Sequence, residues 1–212
     1  MLWLEYLQAA DWATLGKTVL GAGIGTGVVQ GSFAICRERR HRTAQAAYLA
    51  MRLSVVLEAF AIACADLIRS NSVAEHLPEH EFPDWDIKLP KMPAYPEDGP
   101  GWVALNRRLA NRCLSLRNKR DDGQRLIYEH CEHDGAGLKD AITQQASGCG
   151  LAAWHLAQEL RLTYGVADPT LRYEFADYLA EAGDSAAASM RQRARRKQEV
   201  CLKLARMEEV AV

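Results

Sequence analysis

The sequence predicts an all-α protein: a single N-terminal transmembrane helix followed by a cytoplasmic helical bundle with a proline-rich connector. Three observations predict it. A charge-free stretch, Thr18–Cys36, ends on an arginine cluster. The stretch from Thr43 to Ser70 that follows contains neither proline nor glycine. Segments alternating apolar and polar residues with the period of a strand are scarce, and no long repeat emerges.

Residues 1–17 form a short external segment, in which Trp3, Tyr6 and Trp12 suit the headgroup level of a bilayer. Residues 18–36 are the predicted transmembrane helix, whose length in α conformation matches a hydrocarbon layer of ~30 Å. Five glycines, two threonines, Gln30 and Ser32 dilute its apolar character. Arg37, Arg39, Arg40 and Arg42 follow the span, whereas Lys17 is the one basic side chain before it. That asymmetry orients the amino terminus outside and the body in the cytoplasm, and the alanine and arginine richness points to a bacterial inner membrane. A cleaved signal peptide would carry its basic residues before the apolar run, so the segment reads as a retained anchor.

Gly23, Gly27 and Gly31 recur at every fourth position and would flatten one face of the span for another helix, making a homo-oligomer an expected assembly. Glycine is also common in spanning helices without any such role. The run GAGIGTG has neither the order of a dinucleotide-binding loop nor the lysine of a P-loop.

Residues 37–76 are predicted as one long helix, apolar almost all round between Leu53 and Ile68. A second span would place Glu58 near the bilayer centre at a cost of about 2.5–3.5 kcal/mol, so the helix belongs at the centre of the bundle. Glu58 and Asp66 then require a polar partner or the bundle edge. Residues 77–100 hold six prolines and form the connector, with Trp85, Ile87, Leu89, Met92 and Tyr95 as apolar handles along the helices.

Residues 101–212 are the helical remainder. Trp102, Leu105, Leu109 and Cys113 share one face of a helix, and Gly123 opens a further segment that breaks at Gly135–Gly137. Leu138–Tyr164 is helical, with Gly148 and Gly150 marking an interruption or a close packing point. Asp168 and Pro169 read as the N-cap and first residue of a short helix through Leu179, and Ser185–Glu209 as a terminal helix.

Lysine plus arginine (26) nearly balances aspartate plus glutamate (27), so no global field marks a nucleic-acid partner. The six cysteines are scattered without a CxxC and read as reduced thiols, several of them core fillers; no cofactor is expected.

The densest polar cluster runs from Glu129 to Asp134. On a helix, His130, His133 and Asp134 could offer metal ligands from one side, although a solvated helix end accounts for the same residues. The adjacent His133 and Asp134 resemble the central pair of the HD-domain phosphohydrolases, over those two residues alone, which implies a divalent-metal hydrolase. His155, Glu159 and Arg161 could be written as an acid–base set, or simply as helical side-chain pairs. Arg191, Arg193, Arg195, Arg196 and Lys197 could contact an anionic surface such as lipid headgroups, or form a solvated basic face.

The expected function is therefore that of a membrane-tethered helical interaction or scaffold protein, its partners membrane lipid, an unidentified protein and a second copy of itself. A membrane-bound metal-dependent hydrolase is the alternative.

Overall fold

The computed structural model describes residues 12–74, 85–133, 137–167 and 174–210, and the backbone alone at residues 12–34, 133, 174, 204–206 and 208–210. Among the described residues the elements are all helical: α1 (Trp12–Ala74), α2 (Gly99–Ala104), α3 (Arg107–His133), α4 (Leu138–Tyr164) and α5 (Glu174–Val210). The chain divides into two compact units, Met1–Gln45 and Ala46–Val212.

The described part of the first unit is the beginning of α1. The sequence predicts a span at residues 18–36 and a separate helix from residue 37; the structure instead runs one helix across that boundary. Arginine is a good helix former, and Arg42 Nε donates to Glu38 Oε1 at 2.8 Å one turn away. The span side chains through residue 34 lie outside the described ones, as does the segment 1–11, while Ile35 and Cys36 are exposed. Among the described residues no helix is long and apolar enough to cross a membrane.

The second unit is a bundle whose core begins at Ala46. Along α1, Ala46, Ala50, Leu53, Leu57, Phe60, Cys64, Leu67 and Asn71 are all buried. Their alternating steps of three and four residues keep one stripe of the helix against its neighbours. Complete burial of Leu53, Leu57 and Phe60 stabilises the fold by roughly 1.5–3 kcal/mol for each side chain.

Helix α4 sits at the centre and runs antiparallel to α1, α3 and α5. Ser54 of α1 bonds Ala157, whereas Cys64 meets Gly150. Likewise Arg112 of α3 pairs with Glu159, whereas Lys119 reaches the Gly148 carbonyl. On the α5 side Leu179 packs at Gly150 and Arg193 reaches Asp140. A Cβ built on Gly150 would lie 3.0 Å from Cys64 Cβ and 3.0 Å from Leu179 Cδ1, so this glycine is where α1, α4 and α5 converge. The helix continues through both Gly148 and Gly150 without interruption.

The same logic corrects two other expected breaks. Gly123 lies inside α3, where a Cβ would meet Gln145 Oε1 at 3.1 Å and Leu89 Cδ1 at 3.3 Å. Gly183 lies inside α5, where a Cβ would approach Ser147 Oγ to 2.6 Å. Tertiary packing uses the missing side chains and keeps the helices whole, so the described part of the helix expected at 169–179, from Glu174 on, is continuous with the one expected at 185–209 and both belong to α5. The predicted cap at Asp168 and Pro169 lies outside the described residues. Gly165 does end a helix: it closes α4 at φ 62° and ψ 32°, and Val166 N donates to Arg161 O at 3.0 Å.

The proline-rich connector returns the chain from the end of α1 to a point near Leu49, whose Cβ lies 3.0 Å from the Cβ position of Gly101. The helix from Leu49 to Asn71 spans roughly 33 Å at ~1.5 Å per residue, and extended backbone covers that distance in about half as many residues. Extended backbone leaves its polar groups unpaired, and side-chain amides supply the partners. Asn71 Nδ2 donates to Asp86 O at 3.1 Å and Asp86 N donates to Asn71 Oδ1 at 2.9 Å. Leu89 N donates to Gln124 Oε1 at 2.7 Å, and Gln124 Nε2 donates to Ile87 O at 2.8 Å. Arg120 adds donations to Leu89 O at 2.8 Å and Pro90 O at 3.2 Å. Leu89 is buried, and Trp85, Ile87, Met92 and Tyr95 pack against the core from this segment.

Candidate interaction surface

Most polar side chains that reach the interior are already engaged. Glu58 on α1 and Arg161 on α4 are 4 % and 7 % exposed and form a two-pronged pair, Nε to Oε1 at 2.7 Å and Nη2 to Oε2 at 2.9 Å. Arg161 Nη1 also donates to the Ala167 carbonyl, tying down the chain after α4. Beside them Ser54 Oγ, a rotatable donor, lies 2.8 Å from Ala50 O and 3.2 Å from Ala157 O. Glu58 thus has a polar partner, while Asp66 lies exposed, 3.6 Å from Arg69. The acid–base set is not assembled: His155 is exposed, Glu159 pairs with Arg112, and Arg161 is sequestered by Glu58.

Where the connector crosses between α1 and α3, the surface opens into two grooves that meet at Ala94. One, of about 630 Å³, lies between Met51, Arg52 and Val55 of α1 and Tyr95–Glu97 of the connector. The other, of about 510 Å³, is lined by Lys91, Met92, Ala94, Arg117, Arg120 and Asp121. Beside the first groove, Tyr48, Met51 and Val55 expose 54 %, 41 % and 55 % of their surface, an apolar stripe on the face of α1 opposite its buried residues, with exposed Arg52 beside it.

The arginines here are held by aromatic rings. Arg117 stacks 4.5 Å from the centroid of Tyr95, and Arg52 lies 5.7 Å from that of Tyr48. Tyr95 is fixed in turn by donating to Cys113 O at 2.7 Å and by its tilted packing on Trp102, with ring centroids 5.9 Å apart. Burial raises the Tyr95 hydroxyl to about 12; Cys113 adds to the rise and Arg117 opposes it. The phenol therefore stays neutral and acts as a donor. Arg120, by contrast, spends its guanidinium on the connector carbonyls and on Asp121 at 2.9 Å.

Three thiols belong to the core. Burial raises Cys113 to about 12 against the opposing charge of Arg112. It raises Cys64 as well, with Cys149 adding to the effect, and raises Cys149 against Lys119 and Arg120. Such thiols remain protonated and are poor nucleophiles. Cys36, Cys131 and Cys201 are exposed.

Of the predicted metal ligands, His130 lies on α3 with Nδ1 3.1 Å from Leu126 O, one turn back along its own helix. The side chain of His133 and the whole of Asp134 lie outside the described residues. Among the described residues no group of three His, Cys, Asp or Glu side chains could hold a metal ion. Gly23, Gly27 and Gly31 fall in the backbone-only part of α1.

The basic run lies where α5 has left the core, with every residue from Arg191 to Lys203 exposed. Its members are not equivalent. Arg193 Nη2 sits 3.0 Å from Asp140 Oδ2, an ion pair whose geometry falls short of a hydrogen bond, whereas Arg191 Nε turns back to Ala187 O at 3.2 Å. Arg195 and Arg196 stand on the exposed helix near them.

Sequence reasoning missed the roles of Arg161, Gln124, Arg52 and Arg117. Arg161 carried a usable signal: it interrupts the apolar end of α4, and Glu58 needed a cation. No protein-family model, curated protein or solved structure matches the chain.

Proposed function

We propose that the chain is a membrane-tethered helical interaction or scaffold protein, anchored in a bacterial inner membrane by residues 18–36 with its bundle in the cytoplasm. The observation that carries the interaction reading is the exposed Tyr48, Met51 and Val55 stripe, continuous with two grooves, on a bundle most of whose interior polar side chains are engaged within it. Support for the tether comes from the charge-free stretch 18–36 and the arginines directly after it. The basic face of Arg191, Arg195 and Arg196 is a second contact, available to anionic headgroups or another anionic surface.

Carbonate extraction of membranes from cells making the full chain, beside a chain beginning at Thr43, tests the tether. Retention of the full chain in the pellet and release of the shorter one is expected; a fully extracted full chain would overturn the anchor. A photo-crosslinker at Val55 should yield a discrete protein adduct, absent when it is placed at exposed Leu162. Failure of Val55 to crosslink would remove the interaction reading.

A further inference from the structure

One exposed stripe of α3 carries opposite charges at its two ends. Arg117, Asp121, Tyr128 and Glu132 follow at steps of four, seven and four residues, so they share a helix face, and all four are exposed. At the first end Arg117 stands over Tyr95 with Lys91 beside it across the groove, and among the described residues neither cation has a carboxylate within ion-pair distance. At the second end Tyr128, a large side chain 42 % exposed, is flanked by Glu129 and Glu132. The surface thus holds a groove with spare positive charge and, roughly two turns farther along, an aromatic knob set in negative charge.

Such a stripe is self-complementary under a two-fold rotation. Turning a second copy about an axis near Arg125 brings its Glu132 over Arg117, its Tyr128 over the groove beside Asp121, and its Arg117 over the first copy's Glu132. Both contacts form twice, and the assembly closes at two chains. The knob would gain burial, and its hydroxyl a carboxylate acceptor in Asp121.

We propose that this face of α3 and the connector is a two-fold self-association surface, in which Tyr128 of each copy occupies the groove lined by Lys91, Met92, Ala94, Arg117, Arg120 and Asp121 of the other. The inference rests on the interaction reading and names a partner for it, a second copy of the chain. It does not depend on the glycine stripe of α1.

Charge reversal with mixing tests the pairing on the full chain in neutral detergent, by sedimentation velocity. The wild type should sediment as a dimer, and Arg117→Glu or Glu132→Arg should each weaken self-association by about tenfold to a hundredfold, because like charges then face each other twice. Mixing the two variants should restore a dimer, since each contact then pairs opposite charges. Tyr128→Ala should weaken the dimer without altering its salt dependence. Circular dichroism checks folding, with Lys91→Glu as the second groove variant. A wild type that stays monomeric to about 100 µM, or single variants that dimerise as wild type, would overturn the proposal. So would failure of the mixture to recover. A dimer indifferent to these changes but lost in Gly27→Leu would also overturn it, placing association in α1 and leaving the membrane reading intact.

Discussion

Replacing Glu58 by glutamine keeps the shape of the side chain and removes its charge, which takes the carboxylate away from an Arg161 guanidinium that is 7 % exposed and is held by it at two points. Breaking a buried pair from one side costs about 3–5 kcal/mol, because a charge held out of water loses the carboxylate that faced it. At a urea slope of about 2 kcal/mol/M, a loss of about 4 kcal/mol lowers the unfolding midpoint by about 2 M. Replacing both partners, Glu58→Leu with Arg161→Met, removes both charges and fills about the same volume. That double variant forfeits the donation to Ala167 O, worth about 0.5–1.5 kcal/mol, but gains a dry contact between α1 and α4. It should unfold within about 2 kcal/mol of wild type and well above either single variant. Urea melts followed by circular dichroism measure all four corners of the cycle. A single-variant loss under about 1 kcal/mol would refute the reasoning, as would a double variant no more stable than Glu58→Gln, since either outcome means the charges are solvated and not paired in a dry interior.

The helical glycines separate by sign. Nothing lies within 4 Å of a Cβ at Gly148, so Gly148→Ala should stabilise α4 by up to about 1 kcal/mol, whereas Gly150→Ala and Gly183→Ala push against Cys64, Leu179 or Ser147 and should cost about 1–3 kcal/mol in the same melts. Gln124→Ala strands the Leu89 N–H and the Ile87 carbonyl and should destabilise by about 1–3 kcal/mol, with faster amide hydrogen exchange confined first to residues 85–90. A thiol reagent should modify Cys36, Cys131 and Cys201 in the folded chain and reach Cys64, Cys113 and Cys149 only on unfolding. Because burial raises Cys113 from 9.0 to about 12, its contribution to stability is intact below pH 9 and is lost as the pH rises toward 12, where the unfolded chain ionises first. Cys113→Ala should therefore flatten the alkaline decline by about 1.4 kcal/mol per pH unit, measured from urea melts between pH 9 and 11.

How much of this was legible beforehand depends on whether a residue's meaning is local. The absence of proline and glycine from Thr43 to Ser70 and the apolar run Leu53–Ile68 are local, and the buried helix follows from them. Prolines are local too, and the non-helical path over residues 85–98 follows from them. Gly123, Gly150 and Gly183 were ambiguous because a missing side chain serves either a turn or a close approach, and only the element opposite decides between them. The amides of Asn71 and Gln124 gave no signal at all, since their partners are backbone groups of the connector.

The same distinction separates the polar groups that build the fold from those left for a partner. Glu58 and Arg161 lie 103 residues apart, and each side chain alone would be an anomaly in its apolar helix; together they cancel. Glu159, which read locally as half of a catalytic pair with His155, is satisfied by Arg112 from another helix. Once such pairs are removed, the cations beside Tyr95 and the carboxylates around Tyr128 stand out, among the described residues, as charge without an opposite charge in ion-pair distance. Among the described residues Arg117 has no carboxylate and Glu132 no cation within ion-pair distance, and the two-fold pairing proposed above would give each its complement. Stability requires no such arrangement, because a solvated exposed ion contributes almost nothing to folding. The proposed self-association would use it, and the charge-reversal pair Arg117→Glu and Glu132→Arg tests that use directly.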